Sequence, residues 1–235
     1  TLRYPGYMNN DLVGLIASGL AYGRVASILV SVDKVLDTLG SQPSKRIQAA
    51  DDAWLDEAFA NFRHRWTSGE EVAGLLKGVR NARYRYGTLE HCFLSGQSDA
   101  PNVMPGLTKL METLLQEGGL PKNSLLPQPA SGSASKRPLL FLRWMVRKDA
   151  VDPGGWKKVN PAGLIVPLDT HMYAVAKKMR MTRRKQANLK TAVEITGRYA
   201  KYCPEDPVKY DFALTRLGIR LELSADEVLA DIHQS

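Results

Sequence analysis

Apolar residues recur along this chain at the spacing of an α-helix. Residues 12–20 carry leucine and isoleucine at i, i+3 and i+4, and a second stripe of this kind runs over 25–39. Gly23 lies between the two stripes, where a glycine suits the left-handed backbone at a helix end. Gly40 and Pro43 then stop the second stripe. This pattern predicts two helices joined by a tight junction.

Helix signals continue through the rest of the chain. The segment 67–71 holds two overlapping capping boxes, Thr67 with Glu70 and Ser68 with Glu71, so a helix is expected to begin there and to end at Gly87. Further helices are predicted at about 105–118, 136–148, from Asp169, at 186–201, at 206–217 and from Ser224. No segment alternates at period two over the length of a strand, so the sequence predicts an all-α fold.

Residues 120–135 differ from their surroundings, because they contain three prolines, one glycine and four serines. Such a composition predicts a loop, either a linker between domains or a hairpin within one domain. We expect one unit over 1–235, made of a helical lobe at about 10–119, a hairpin loop at 120–135, and further helices with a C-terminal lobe at 136–235.

The chain is basic, with a formal net charge of +8 and an isoelectric point of about 9.5. An excess of Lys and Arg favours a polyanionic partner such as nucleic acid, although a basic surface without such a partner is the alternative. Cys92 and Cys203 are far apart, which predicts no zinc site or iron–sulfur cluster and points to a reducing compartment. No apolar run approaches membrane-spanning length. The first residue is Thr1, not Met, which leaves room for a preceding segment.

The segment Leu168-Asp169-Thr170-His171 stands at a predicted helix start, after an apolar approach that contains Pro167. An aspartate in this position usually caps its helix. A carboxylate there is also able to stabilise positive charge in a reacting substrate.

The segment Gly132-Ser133-Ala134-Ser135-Lys136 leads into the predicted helix at 136–148. Small residues permit a tight turn, and the N–H groups at the helix start attract anions such as a DNA phosphate. The positive end of the helix dipole disfavours an ammonium group, and a neutral amine is what a Schiff-base nucleophile needs. The alternative is that Lys136 is an ordinary solvated lysine.

The segment Ala21-Tyr22-Gly23-Arg24 forms the junction between the first two predicted helices. A junction of this kind can push a side chain between stacked bases. Alternatively, Gly23 ends a helix, Tyr22 packs in the core and Arg24 is solvated.

Taken together, these segments resemble the helix-hairpin-helix DNA glycosylases. Residues 167–176 are similar to the Asp-Thr-His helix start of that superfamily, and residues 15–24 to its first core helix and wedge turn. Residues 141–149 and 204–214 are similar to a bacterial and archaeal family of undefined function, whose characterised relative is the archaeal 8-oxoguanine DNA glycosylase. The hairpin departs from the superfamily pattern, because it is longer, rich in serine and lacks the second glycine.

The resemblance implies two helical lobes around a DNA-binding groove, with a helix-hairpin-helix-like element. It implies a DNA-repair enzyme that flips a damaged base, such as an oxidised purine, out of duplex DNA and excises it. Asp169 would be the catalytic carboxylate, and Lys136 the nucleophile of an AP-lyase step, with Lys148 as the alternative. The expected DNA-binding residues are Tyr22, Gly23, Arg24, Gly132, Ser133, Ser135, Arg137, His171, Lys177 and Lys178.

The resemblance further implies a monomer in the prokaryotic cytoplasm, associated with the nucleoid, that needs no metal and no organic cofactor. Lys157 and Lys158 also compete for the role of nucleophile, but they lie too close to Asp169 in sequence for a full helix to fit between. Three tryptophans, Trp54, Trp66 and Trp156, are candidates for a base pocket. The other readings are a monofunctional glycosylase, a non-catalytic binder of DNA or RNA with this fold, and a helical scaffold for protein partners.

Overall fold

The chain is mostly helical, and the prediction of an all-α fold is confirmed. A computed structural model describes residues 11–121, 123–128 and 133–219, with side chains as far as Thr215. Gly132 and the helix predicted from Ser224 lie outside the described residues.

The described residues form eleven α-helices. They are α1 (Asp11–Gly19), α2 (Val25–Leu39), α3 (Pro43–Ala49), α4 (Asp52–Phe59), α5 (Gly69–Tyr86), α6 (Leu89–Gly96), α7 (Met104–Glu117), α8 (Lys136–Val146), α9 (Thr170–Lys178), α10 (Leu189–Tyr199) and α11 (Asp211–Ile219).

Three short helices and a β-hairpin were not anticipated. The helices α3, α4 and α6 have only seven or eight residues each, so the apolar spacing repeats too few times to identify them. The hairpin pairs β1 (Arg63–His64) with β2 (Thr67–Ser68) in antiparallel register. Strands of two residues carry no alternation that a sequence pattern can detect.

The hairpin also decides which capping box starts α5. Thr67 is paired with His64 in the hairpin and is fully buried, so it belongs to β2. Ser68 caps the helix instead, because its side chain accepts from Glu71 N while the Glu71 carboxylate accepts from Ser68 N. Of the two overlapping boxes, the box of Ser68 with Glu71 is therefore the one that forms.

Close helix packing brings distant segments together. Helix α5 packs against α4, α6 and α7, and α1 packs against α8. The α1–α8 contact is tight, since a Cβ at Gly14 would lie 2.9 Å from the Met145 side chain. This contact places the end of α1 beside the start of α8, so the two segments singled out around Tyr22 and Lys136 share one surface.

A buried ionic network anchors the other end of α8. Arg143 and Arg147 lie one helical turn apart, and both pair with Asp152, which has no exposed surface. Arg143 also pairs with Asp211 at the start of α11, and Arg147 with Asp206. Burial raises the pKa of the Asp211 carboxyl to about 6, although the guanidinium of Arg143 opposes the shift. The network fixes α11 and the loop after α8 to one another.

We expect Arg147→Met to lower the free energy of unfolding by about 3–5 kcal/mol, because it removes one partner of a buried charge. Arg85→Met is the matched control, since Arg85 pairs with Glu117 at the surface and its side chain is 58% exposed. That change should cost about 1 kcal/mol or less. Urea denaturation measures both, and equal losses would mean that the buried network contributes no more than a surface pair.

Candidate functional site

Asp169 occupies the N-cap position of α9, as predicted. Its Oδ1 accepts a hydrogen bond of 2.8 Å from Met172 N. The buried residues Leu164, Val166 and Leu168 hold the chain that approaches the helix, and the Asp169 side chain remains 17% exposed. The backbone therefore fixes one carboxylate oxygen and leaves the other available to a second partner.

That second partner is Lys136. Its Nζ lies 3.1 Å from Asp169 Oδ2, although 33 residues separate the two in sequence. Lys136 is the first residue of α8, and its side chain is 41% exposed. The site thus combines an amine and a carboxylate at the N-terminal ends of two helices, open to solvent on the side of the lysine. The Asp169 carboxylate lies within hydrogen-bond distance of the amine, so it supplies an acceptor for the proton that a reacting amine must lose.

Ser135 shapes the turn into α8. It adopts a left-handed conformation with φ of 48°, which is uncommon for a residue other than glycine. The residue is buried, and its hydroxyl has no hydrogen-bond partner within the described part of the chain. Ser133 stands two residues earlier and forms an isolated β-bridge with Asn188, the N-cap of α10. The end of the predicted hairpin loop is therefore attached to the segment that precedes α10.

Arg137 connects this turn to the end of α1. Its guanidinium donates 2.6 Å to the carbonyl of Gly19 and also donates to the carbonyl of Ser124. It lies 4.9 Å from the centre of the Tyr22 ring, and burial lowers the pKa of Arg137. Two guanidinium nitrogens of Arg137 therefore donate to the protein backbone in this structure.

Tyr22 is held against the β-hairpin. Its hydroxyl donates to the carbonyl of His64 at 2.8 Å and lies 2.6 Å from Thr67 Oγ1. Gly23 follows with φ of 94°, as expected for the junction, and Arg24 is exposed. Of this segment, Arg24 is the side chain that reaches solvent freely, whereas Tyr22 would have to break hydrogen bonds to enter a DNA stack.

Trp66, at the tip of the hairpin, is an exposed aromatic side chain in contact with this junction. It stacks on Tyr22 with ring centres 4.9 Å apart and an angle of 16°, and it remains 57% exposed. The Arg65 guanidinium lies 4.8 Å from its ring. By contrast, Trp156 is buried against Phe141, and Trp54 is half-buried beneath Arg46. Sequence alone offered no reason to choose among the three tryptophans, because the choice depends on the hairpin.

The basic loop between α9 and α10 lies beside the same turn. The Tyr173 hydroxyl donates 2.8 Å to the Arg184 carbonyl, and the bridge between Ser133 and Asn188 ties the end of the loop to the start of α8. Arg183 and Lys185 are exposed. The predicted contacts His171, Lys177 and Lys178 are also exposed, on α9.

The competing lysines lie elsewhere. Lys148 is exposed beyond the C-terminal end of α8, and that helix of 11 residues is about 16 Å long. Asp149 pairs with Arg147, not with Lys148. Lys158 Nζ lies 2.9 Å from His91 Nε2 on α6. Among the four lysines considered, Lys136 is the one that the fold brings to Asp169.

Neither a metal site nor a membrane-spanning helix is found among the residues that the structure describes. No group of three or more His, Cys, Asp or Glu side chains there is placed to hold a metal ion. In the same residues, no helix combines the length and the apolar character that crossing a membrane requires.

The described part of the chain is mostly helical and pairs a lysine with an aspartate at the starts of two helices. The chain belongs to the family DUF2400, described as a protein of unknown function, whose model matches residues 1–220. No curated protein and no solved structure matches the chain.

Proposed function

We propose that this protein is a DNA-repair glycosylase that excises a damaged base from duplex DNA and then nicks the strand through a Schiff base. The observation that carries the proposal is the distance of 3.1 Å between Lys136 Nζ and Asp169 Oδ2. An amine nucleophile beside a fixed carboxylate is the pair of groups that such a reaction needs. The helix-hairpin-helix resemblance around residues 15–24 and 167–176 supports the same conclusion.

The DNA is proposed to lie in a groove between two helical lobes, one at about 10–119 and the other at 136–235, with the hairpin loop at 120–135 as the helix-hairpin-helix-like element. Two features support this placement: the packing of α1 on α8, and the bridge that ties the α9–α10 loop to the start of α8. Cations lie on these segments or next to them: the half-buried Lys136, and the exposed Arg183, Lys185, Arg24 and Arg65. Arg24 follows the end of α1, and Arg65 lies against Gly23 in the same junction. Such cations neutralise DNA phosphates without reading the base sequence.

The extruded base is proposed to stack on Trp66, which presents an exposed ring beside Arg65. Arg24 and the neighbouring Val25, which is 71% exposed, would fill the gap that the base leaves in the duplex. In this arrangement Tyr22 does not enter the duplex. Its ring packs against the other face of Trp66 and holds that side chain in place.

In the proposed reaction, the Nζ lone pair of Lys136 attacks C1′ while the bond from C1′ to the base breaks. The base leaves with the electrons of that bond and takes up a proton. Asp169 stabilises the positive charge that develops at C1′ and is the nearest acceptor for the proton that the amine loses. Opening of the sugar ring leaves a protonated imine between Nζ and C1′. Loss of a proton from C2′ and departure of the 3′ phosphate then nick the strand.

A monofunctional glycosylase is the second candidate. The contact between Lys136 and Asp169 also fits a reaction in which the lysine binds an anion and does not attack C1′. In the monofunctional reaction, Asp169 activates a water molecule that attacks C1′. Lys136 then binds a DNA phosphate or stays paired with the Asp169 carboxylate.

The test is borohydride trapping on duplexes that carry 8-oxoguanine, uracil, hypoxanthine or an abasic site. Hydride reduces the imine and leaves a covalent complex of protein and DNA. We expect trapping on the abasic duplex and on one lesion, together with release of that base. Binding without base release on every duplex would identify a non-catalytic nucleic-acid binder instead.

Duplex affinity should fall steeply with salt, because bound phosphates release counterions. The double change Arg183→Gln with Lys185→Gln should reduce the slope of log affinity against log salt by about 2. Lys34→Gln with Lys45→Gln, at exposed lysines of α2 and α3, is the control and should leave the slope unchanged. Fluorescence anisotropy from 50 to 300 mM salt measures the slopes. Equal slopes in both double variants would mean that the α9–α10 loop does not contact DNA.

A further inference from the structure

A cavity of about 860 Å³ lies between the end of α9, the end of α10 and α11. Met179, Met181 and Leu214 give it an apolar wall. This volume falls within the range of pockets that hold small organic ligands. The cavity does not include Lys136 or Asp169 and forms no part of the reaction proposed above.

Three tyrosines line this cavity. Tyr199 is buried, and its hydroxyl lies 3.5 Å from Met172 Sδ in the first turn of α9. Tyr202 and Tyr210 are 83% and 46% exposed, so they present ring surface to solvent. Lys209 adds a cation 5.6 Å from the ring of Tyr210. Exposed rings of this kind contribute little to the core and are available to stack on a ligand.

The charges that line the cavity have one sign. Arg180, Arg198 and Lys201 lie along it, and none of the described residues that line it is acidic. All three are exposed, so they need not be desolvated before they meet an anion. A ligand that matches these side chains has aromatic rings to stack on the tyrosines and several negative charges to pair with the basic residues.

We propose that this cavity binds unpaired nucleotides of a single-stranded DNA segment, with bases stacked on Tyr202 and Tyr210 and phosphates held by Arg198 and Lys201. A positively charged groove with aromatic side chains is the way in which proteins hold single strands without reading their sequence. The site is distinct from the duplex groove, and it stands whether or not the protein is a glycosylase. It gives the chain a second mode of nucleic-acid binding.

The test uses fluorescein-labelled dT12, which forms no internal pairs, and follows its anisotropy with the full chain. Tyr202→Ala should weaken binding about five-fold or more, since one stacked base contributes that much. Tyr202→Phe keeps the ring and should bind as the unmodified protein does. Arg198→Gln with Lys201→Gln should reduce the salt slope by about 1.4, the value for two contacts to a single strand.

Two matched controls separate the cavity from general effects. Tyr84→Ala removes a tyrosine of α5 that is 95% exposed, and Lys190→Gln removes an exposed lysine of α10 outside the cavity. Both should bind dT12 unchanged, and a 12-base-pair duplex should bind equally well to Tyr202→Ala and to the unmodified protein. Equal weakening of dT12 and duplex by Tyr202→Ala overturns the proposal, because the cavity would then belong to the duplex site. The proposal is also overturned if dT12 binding is unchanged both in Tyr202→Ala and in Arg198→Gln with Lys201→Gln. Displacement of dT12 by equimolar dTMP also overturns it, in favour of a site for free mononucleotides.

Discussion

Asp169→Asn should reduce the rate of base release by about 10²–10³-fold, the usual cost of losing one group that stabilises charge in a transition state. The substitution keeps the size of the side chain and removes its charge. Its amide oxygen can still accept from Met172 N, so the cap of α9 remains in place. Duplex binding should therefore stay within about two-fold of the unmodified protein, because phosphate contacts provide most of that affinity. Single-turnover base release and anisotropy give the two quantities separately.

Asp51→Asn is the matched control for this change. Asp51 caps α4 as Asp169 caps α9, and it accepts 2.7 Å from Trp54 N. Aspartate and asparagine are comparable N-caps, so both variants should retain nearly the same thermal stability as the unmodified protein. Only Asp169→Asn should lose base release. If the two variants release base equally fast, Asp169 is a helix cap and no more.

Lys136→Gln should abolish the borohydride-trapped complex, whereas Lys148→Gln should trap as the unmodified protein does. The reason is position: Lys136 Nζ lies 3.1 Å from Asp169, and Lys148 lies beyond the far end of α8. Lys136 is 41% exposed, so its replacement should not disturb the core. Denaturing gel electrophoresis after reduction detects the covalent complex.

Lys136→Arg separates charge from chemistry in the same experiment. A guanidinium can still pair with Asp169, but it does not form a Schiff base, so duplex binding should persist while trapping is lost. A crosslink that survives in Lys136→Gln and disappears in Lys148→Gln would assign the nucleophile to Lys148. Base release by an unmodified protein that never crosslinks would establish the monofunctional reaction.

Local signals in the sequence were sufficient for most of the long helices. The spacing of apolar residues over 25–39 and 105–118 predicted α2 and α7, because one buried face requires a repeat of 3.6 residues. Asp169 was predicted to start a helix, and it does so because its carboxylate accepts from the first turn. These features depend on neighbours within four residues, which is the range over which a sequence pattern can be interpreted directly. The shorter helices α3, α4 and α6 gave too few repeats for this.

The tertiary structure decided the rest. The contact between Lys136 and Asp169 and the stacking of Trp66 on Tyr22 follow from packing between distant segments. The choice of Ser68 over Thr67 as the cap of α5 follows from the β-hairpin, which pairs Thr67 with His64. The tyrosine-lined cavity formed by α9, α10 and α11 is another such product. The sequence by itself therefore determined the helices and the residue types able to carry the chemistry. The tertiary structure determined which of those residues contact one another. Such contacts form only when the helices pack together and bury their apolar faces.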